Sequence, residues 1–368
     1  MMRMRYRRER SRLVAFLKLK GICMDLTCRK GEGLDAESLS GESREAFRTN
    51  DIFKRLQRYG SAKENALQFR GYLDSVGEVG LSDDLLNCGN YALFREYFTI
   101  GETRLSRICT CKKHLLCPLC AIRRGAKALR VYLARVEHLR SQDKNLRPYL
   151  VTFTVRNGPD LAERFSHLVH CLRAYHKRRK GARQHGEIRK ASGAVWSYEF
   201  TNKGNGWHPH VHAVWLCREA PDMFKLREEW KGITDDSFMC DVRPVDDADP
   251  VAAFCEVFKY ALKFSSLADA DRLQAYLTLK GKRLQDSFGE LRGLKVEPLD
   301  SDELLDDLPY IERLYKFIVG RGYELAGEWN FWPESEGPRM MKALFEMGWS
   351  NDQVVAFMRE REVRLAAA

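Results

Sequence analysis

The run Trp207-His208-Pro209-His210-Val211-His212 continues as Ala213-Val214-Trp215-Leu216-Cys217, and its alternation decides the architecture. Successive side chains of a strand point to opposite faces. Val211, Ala213, Trp215 and Cys217 therefore share one face, and His210 and His212 share the other. The same parity extends to two neighbouring runs. Over 194–200 the apolar set is Ala194, Trp196, Tyr198 and Phe200, leaving Ser197 and Glu199 opposite. Over 149–155, Val151, Phe153 and Val155 form one face and Thr152 and Thr154 the other. If the apolar faces share a core, Glu199, His210, His212 and the two threonines gather on the opposite face. Two imidazoles beside a carboxylate can hold one divalent cation and leave positions open for substrate. Zinc hydrolases built on such a histidine pair usually recruit later histidines, and none follows His212.

Around this centre the chain reads as alternating elements. Strands are expected at Tyr149–Val155, Ala194–Phe200, His210–Cys217 and Phe238–Val245, and helices at Leu161–Lys177, Asp222–Trp230 and Pro250–Phe264. The order β-α-β-β-α-β-α predicts an α+β fold, an antiparallel sheet with helices packed on one face. Upstream, residues 1–20 read as a basic arm and 30–43 as a polar linker. Residues 44–75 read as a helix carrying Phe47, Ile52, Phe53, Leu56 and Tyr59, and 121–139 as a second amphipathic helix. Downstream, 297–310 is an acidic linker, and helices are expected at 308–319 and 337–365.

Composition bounds the function. The 368 residues are 44% hydrophobic, which excludes disorder as the overall state. No run of 18 apolar residues supports a membrane span. The N-terminus lacks the apolar core of a secretory signal, so a reducing, cytoplasmic location is expected. The 11 cysteines then read as thiols or metal ligands. The net charge of +11 is concentrated. Residues 1–20 carry eight Lys/Arg against one acid, and residues 107–190 carry 21 against five, so the rest of the chain is acidic. Such blocks, densest at Lys177-Arg178-Arg179-Lys180, point to a polyanion and favour nucleic acid over a membrane surface.

Two further groups carry chemistry. Cys109, Cys111, Cys117 and Cys120 form C-x-C-x5-C-x2-C, with His114 inside and Cys88 upstream. The Cys117-Pro-Leu-Cys120 knuckle suits one structural zinc ion. Because C-x-C is tight, Cys88 or His114 stands as an alternative fourth ligand. Arg123 and Arg124 follow directly and would present charge to DNA. On the helix opened by Asp249-Pro250, Val251, Phe254, Phe258 and Leu262 form the apolar stripe. Glu256, Tyr260 and Lys263 lie on roughly the opposite face. A lysine beside a tyrosine favours phenolate or phosphate, and a carboxylate one turn away can act as a general base.

Taken in order, these residues resemble the replication initiators of small bacterial rolling-circle plasmids, within the HUH endonuclease superfamily. The matching pieces are Cys117-Pro-Leu-Cys120 with Arg123-Arg124, Leu150-Val-Thr-Phe-Thr-Val-Arg-Asn157, Glu199, the Trp207–His212 run and Glu256-x3-Tyr260-x2-Lys263. Leu279-Lys-Gly-Lys-Arg283 to Gly289 is also similar, so the likeness covers about Cys88 to Leu291. It implies an HUH-type antiparallel sheet, preceded by a zinc-knuckle and helical region and followed by a helical C-terminal region. With the end regions read from their own patterns, the expected division is 1–87, a basic arm and helical region; 88–145, a zinc-binding and basic helical region; 146–295, the catalytic domain; and 296–368, a helical tail. The resemblance further implies that Tyr260 attacks origin DNA, giving a 5′-phosphotyrosine and a free 3′-OH. His210, His212 and Glu199 would hold Mg2+ or Mn2+, with Lys263 near the tyrosine and Glu256 activating water at termination. Host helicase and polymerase, and a second copy of the chain, are the implied protein partners. A rolling-circle transposase of the same superfamily and a non-catalytic, zinc-stabilised DNA-binding regulator are the competing readings.

Overall fold

Strand alternation over 149–217 does build a sheet around the histidine strand. The structure is a computed structural model describing residues 52–179, 186–246, 250–258, 267–296, 304–305, 308–331, 336–350 and 353–357. In chain order the elements are α1 (Ile52–Ser75), α2 (Val79–Asn87), β1 (Tyr91–Tyr97), β2 (Glu102–Ile108), α3 (Pro118–Gln142), β3 (Arg147–Thr154) and α4 (Leu161–Lys177). They continue with β4 (Ala191–Asn202), β5 (Trp207–Cys217), α5 (Met223–Thr234), β6 (Cys240–Pro244), α6 (Pro250–Phe258), α7 (Asp269–Leu279) and β7 (Gln285–Gly289). Then come β8 (Tyr310–Ile318), β9 (Gly322–Phe331) and α8 (Glu336–Glu346), and residues 353–357 are again helical. The expected basic arm, the linker at 30–43 and Phe47 lie outside the described residues.

The fold is α+β with two antiparallel sheets, each in its own compact unit. The larger unit holds a five-stranded sheet in the order β6-β3-β5-β4-β7, with β5 at its centre. One face is an aromatic core. Phe153 meets Tyr175 of α4 and Trp230 of α5, and Tyr175 stacks on Trp215. Phe165 of α4 packs edge-on against Tyr198 and Phe200. Asp160 caps α4 by accepting from the N–H groups of Ala162 and Glu163, and Asp222 caps α5 in the same way through Phe224 and Lys225. Trp230 is fully buried, and its Nε1–H donates to the Thr154 carbonyl at 2.7 Å. Trp230→Ala is expected to lower stability by about 3–5 kcal/mol, read as a drop in the urea midpoint of the full chain.

Helices also cover the other face of this sheet, which corrects the expectation of helices on one face. Leu129, Leu133 and Val136 of α3 and Phe254, Val257 and Phe258 of α6 pack with Val195, Val214 and Leu216. The reason is legible in β5 itself. From Ala213 to Cys217 every residue is apolar and buried, as in a strand covered on both sides. At the edge, β7 ends in Gly289, whose φ is +63°. A Cβ there would lie 1.9 Å from the Ser192 carbonyl oxygen, so the β4–β7 pairing requires glycine at this position.

Helix α1 buries Leu56, Tyr59, Ala62, Ala66, Phe69 and Leu73, but Phe53, expected in that stripe, is 75% exposed. Arg272 of α7 reaches Asn65 Oδ1 of α1 at 3.1 Å and the Leu116 carbonyl at 2.7 Å, with its guanidinium over the Phe69 ring. That bond steadies the segment immediately before Cys117.

The second unit corrects the helical reading of the C-terminal region. Residues 310–318, expected within a helix at 308–319, form strand β8, and β9 follows it. The four-stranded sheet runs β2-β1-β8-β9, so a hairpin near residue 100 is completed by another near residue 320. Local pattern carries no signal for a partner so far along the chain. The pairing is held by the buried ion pair Arg95–Glu312 at 3.3 Å, between register partners, with Arg95 over the Tyr310 ring. Leu93 and Leu314, also in register, form its apolar contact.

Candidate metal centre

Sheet register brings the expected triad together. On β5, His210 pairs with Glu199 of β4 and Thr154 of β3, while His212 pairs with Ser197 and Thr152. The Glu199 Oε2 atom lies 3.4 Å from His210 Nε2 and 3.2 Å from His212 Nε2. Glu199 is 1% exposed, so a carboxylate is held in the interior facing two imidazoles. Burying that charge is costly unless positive charge compensates it. Octahedral coordination at about 2.0–2.1 Å spaces neighbouring ligand atoms about 3 Å apart. The two carboxylate–imidazole distances are close to that spacing, and the three donors lie within 4.8 Å of one another.

The opposite ring nitrogens are occupied in ways that direct Nε2 toward this point. His212 Nδ1 lies 3.1 Å from the Thr152 hydroxyl, and His210 Nδ1 lies 3.4 Å from the His208 carbonyl. Such outer partners orient metal-binding imidazoles. His208 lies on the same face, its Nδ1 2.6 Å from Asn157 Oδ1. Burial, reinforced by His210, lowers its pKa, which favours a neutral ring. The start of β5 is set by Trp207, whose N–H and C=O both pair with Gly158. Gly206, at φ +81°, precedes it, and a Cβ there would meet the Gly158 carbonyl at 2.7 Å.

Helix α6 is anchored beside the triad. The Ser197 hydroxyl donates to the Val257 carbonyl, and Ser197 is the register partner of His212. Parity placed Ser197 on the Glu199 face, but nothing local indicated its helical partner. Glu256 lies on α6 and is half-buried, because the helix is covered more widely than the expected single stripe. Asp249, Leu262, Tyr260 and Lys263 lie outside the described residues.

The cysteine group differs from expectation in one member. Cys88, Cys111, Cys117 and Cys120 place their sulfur atoms within 4.8 Å of one another, and Cys109 is not in the group. The β1–β2 hairpin explains this. The Gly89 N–H donates to the Cys109 carbonyl at 2.7 Å, and the Cys111 N–H points at Cys88 Sγ at 3.4 Å. The alternative ligand His114 is engaged by Arg124, 3.3 Å from its Nδ1. Burial, followed by the charge of Arg124, holds the His114 imidazole down at about 4. Four sulfur ligands suit a structural zinc ion, for which tetrahedral bonds of about 2.3 Å place sulfurs roughly 3.8 Å apart. Cys117 caps α3 and Pro118 opens it, so the knuckle is continuous with the basic helix.

The expected DNA-contacting cations are spread over two helices. Arg123 is half-buried and Arg124 exposed on the first turns of α3. Lys177 is exposed at the end of α4, Arg178 is half-buried, and Arg179 lies over the Phe288 ring at 4.3 Å. Lys180 lies outside the described residues.

An antiparallel sheet with paired histidines and a buried glutamate on its central strands defines a candidate divalent-metal site, and the chain also carries a group of four cysteines compatible with structural zinc. Residues 102–335 match the family described as Replication protein, Rep_1. The chain belongs to this replication protein family, in keeping with the plasmid rolling-circle initiators. Searches of curated proteins and of solved structures found no significant match. No helix among the described residues is long and apolar enough to cross a membrane.

Proposed function

We propose that this replication initiator cuts one strand of origin DNA with Tyr260 as the nucleophile. The phenolate oxygen attacks the scissile phosphorus, forming the tyrosine–phosphate bond as the bond to the 3′ oxygen breaks. The tyrosine hydroxyl gives its proton to solvent water to form that phenolate, and the leaving oxygen takes one proton from water to become the 3′-OH that a polymerase extends. The 5′ phosphate remains on Tyr260. Lys263, three residues on, favours the phenolate and the phosphate. Glu256 acts in termination, accepting a proton from the water that closes the round. Glu199, His210 and His212 would hold Mg2+ or Mn2+, which when bound polarises the phosphate and offsets its developing charge.

The observation that carries this reading is the anchoring of α6 beside the metal triad through Ser197 and Val257. In the sequence, Tyr260 follows Val257 by three residues. The match of residues 102–335 to the replication protein family favours this reading over a transposase. The test is incubation of the full chain with Mn2+ and single-stranded origin DNA. Wild type forms a covalent adduct and Tyr260→Phe forms none, while Glu256→Ala still forms the adduct but fails to release unit-length product. An adduct of undiminished yield in Tyr260→Phe would move the nucleophile elsewhere.

A further inference from the structure

On the sheet face opposite the triad, a cleft of about 710 Å³ lies between α4 and the β4–β7 edge. Its floor is aromatic, built from Phe165, Trp196, Tyr198 and Phe288. The His176 ring stands edge-on to Trp196 at 4.5 Å and to Phe288 at 5.1 Å. Its rim is cationic, carrying Arg173, Lys177, Arg179, Lys282, Arg283 and Arg292. The carboxylate among the described lining residues is Asp286, which lies 3.3 Å from Arg283 and 3.9 Å from Arg292.

One carboxylate does not neutralise six cations, so the cleft concentrates like charge around an apolar floor. That arrangement favours an anion with a flat, apolar body. A volume of this size is in the range of small-ligand sites, about 300–1,000 Å³. Aromatic platforms flanked by Lys and Arg are how proteins hold unpaired nucleotides, with bases on the rings and phosphates on the cations. Burial, with Arg179 adding to it, holds the His176 imidazole down at about 4. At neutral pH the ring therefore offers a donor and an acceptor to a base edge without a further charge.

We propose that this cleft holds an unpaired nucleotide of the DNA strand, its base against the Trp196–Phe288 floor and its flanking phosphates against the Arg173 and Arg292 rim. The site is separate from the metal face and rests on the chain being a DNA-binding initiator, not on the Tyr260 chemistry. It gives the strand a second hold, across the sheet from the cation.

The test uses the full chain in EDTA with a fluorescent single-stranded origin oligonucleotide, titrated over a range of salt. Arg173 and Arg292 are exposed, so Arg173→Gln/Arg292→Gln leaves the core intact. It should weaken binding at least tenfold and reduce the log-affinity against log-salt slope by about 1.4, or about 0.7 per cation. Phe288→Leu, which keeps an apolar side chain in the floor, should weaken binding on the order of tenfold with little change in slope. Lys225→Gln/Lys231→Gln removes the same charge from exposed positions outside the cleft lining and should change affinity much less. Unchanged affinity and slope in the cleft variant, or an equal loss in the control, would overturn the proposal. Full displacement of the strand by an equal concentration of a deoxynucleoside monophosphate would overturn the strand and assign the cleft to a free nucleotide. Adduct formation with Mn2+ is read in parallel. A wild type that binds in EDTA but forms no adduct refutes the tyrosine reading alone, and a wild type that cleaves while the cleft variant binds equally well refutes the cleft alone.

Discussion

Under the proposed function, Glu199→Gln should lower strand cleavage on the order of 10³-fold, as expected from losing several kcal/mol of transition-state stabilisation. Glutamine keeps the volume and one oxygen of the buried carboxylate but not the charge. Two imidazoles alone attract a hard cation weakly, because such ions prefer anionic oxygen. The fold should survive, since β4 is paired through its backbone on both sides, to β5 and to β7. Far-ultraviolet circular dichroism should therefore match wild type. A second reading does not depend on activity. Mn2+ at 100 times its dissociation constant should stabilise wild type by about 2.7 kcal/mol and raise its melting temperature, with no such increase in Glu199→Gln. Cleavage at the wild-type rate with an unshifted Mn2+ dependence would place the ion elsewhere.

Cys88→Ser should abolish zinc binding, whereas Cys109→Ser should keep about one ion per chain. The two substitutions are chemically identical, so the comparison isolates position. Cys88 Sγ lies with the sulfurs of Cys111, Cys117 and Cys120, and Cys109 contributes its backbone carbonyl to the hairpin instead. Removing one of four thiolates also leaves the knuckle without the ion that ties its ends together, and structural zinc is coupled directly to folding. Amides over 108–120 should then exchange with deuterium faster in Cys88→Ser than in Cys109→Ser. Zinc analysis by mass spectrometry of the native chain checks the stoichiometry. Retention of zinc by Cys88→Ser, with its loss from Cys109→Ser, would restore the contiguous C-x-C-x5-C-x2-C set.

The contrast between these sites shows what local pattern can carry. Glu199, His210 and His212 were readable because strand parity has a period of two and three adjacent strands obeyed it. Helix α4 has the bounds expected for it, Leu161–Lys177, and Asp160 caps its start. The fourth cysteine was not readable, since spacing favoured Cys109 and kept Cys88 and His114 only as alternatives. Hairpin register decided among them. The strand Tyr310–Ile318 was read as helix because its partner, Tyr91–Tyr97, is more than 200 residues earlier. Ser197 could be assigned a face but not its bond to Val257, which depends on how α6 docks.

By itself, then, the sequence determined the α+β class, the central histidine strand, the residues that gather on the candidate metal face and the presence of a cysteine module. All of these are written in periodicities of a few residues, which chain sterics translate directly into faces. Tertiary structure alone decided that helices cover both sides of the main sheet, that two distant hairpins form a second sheet, and that Cys88 joins the cysteine group. It also brought α4 and β7 together around a cationic, aromatic cleft. Those features depend on which remote surfaces bury one another, and that is settled by the packing of the whole chain.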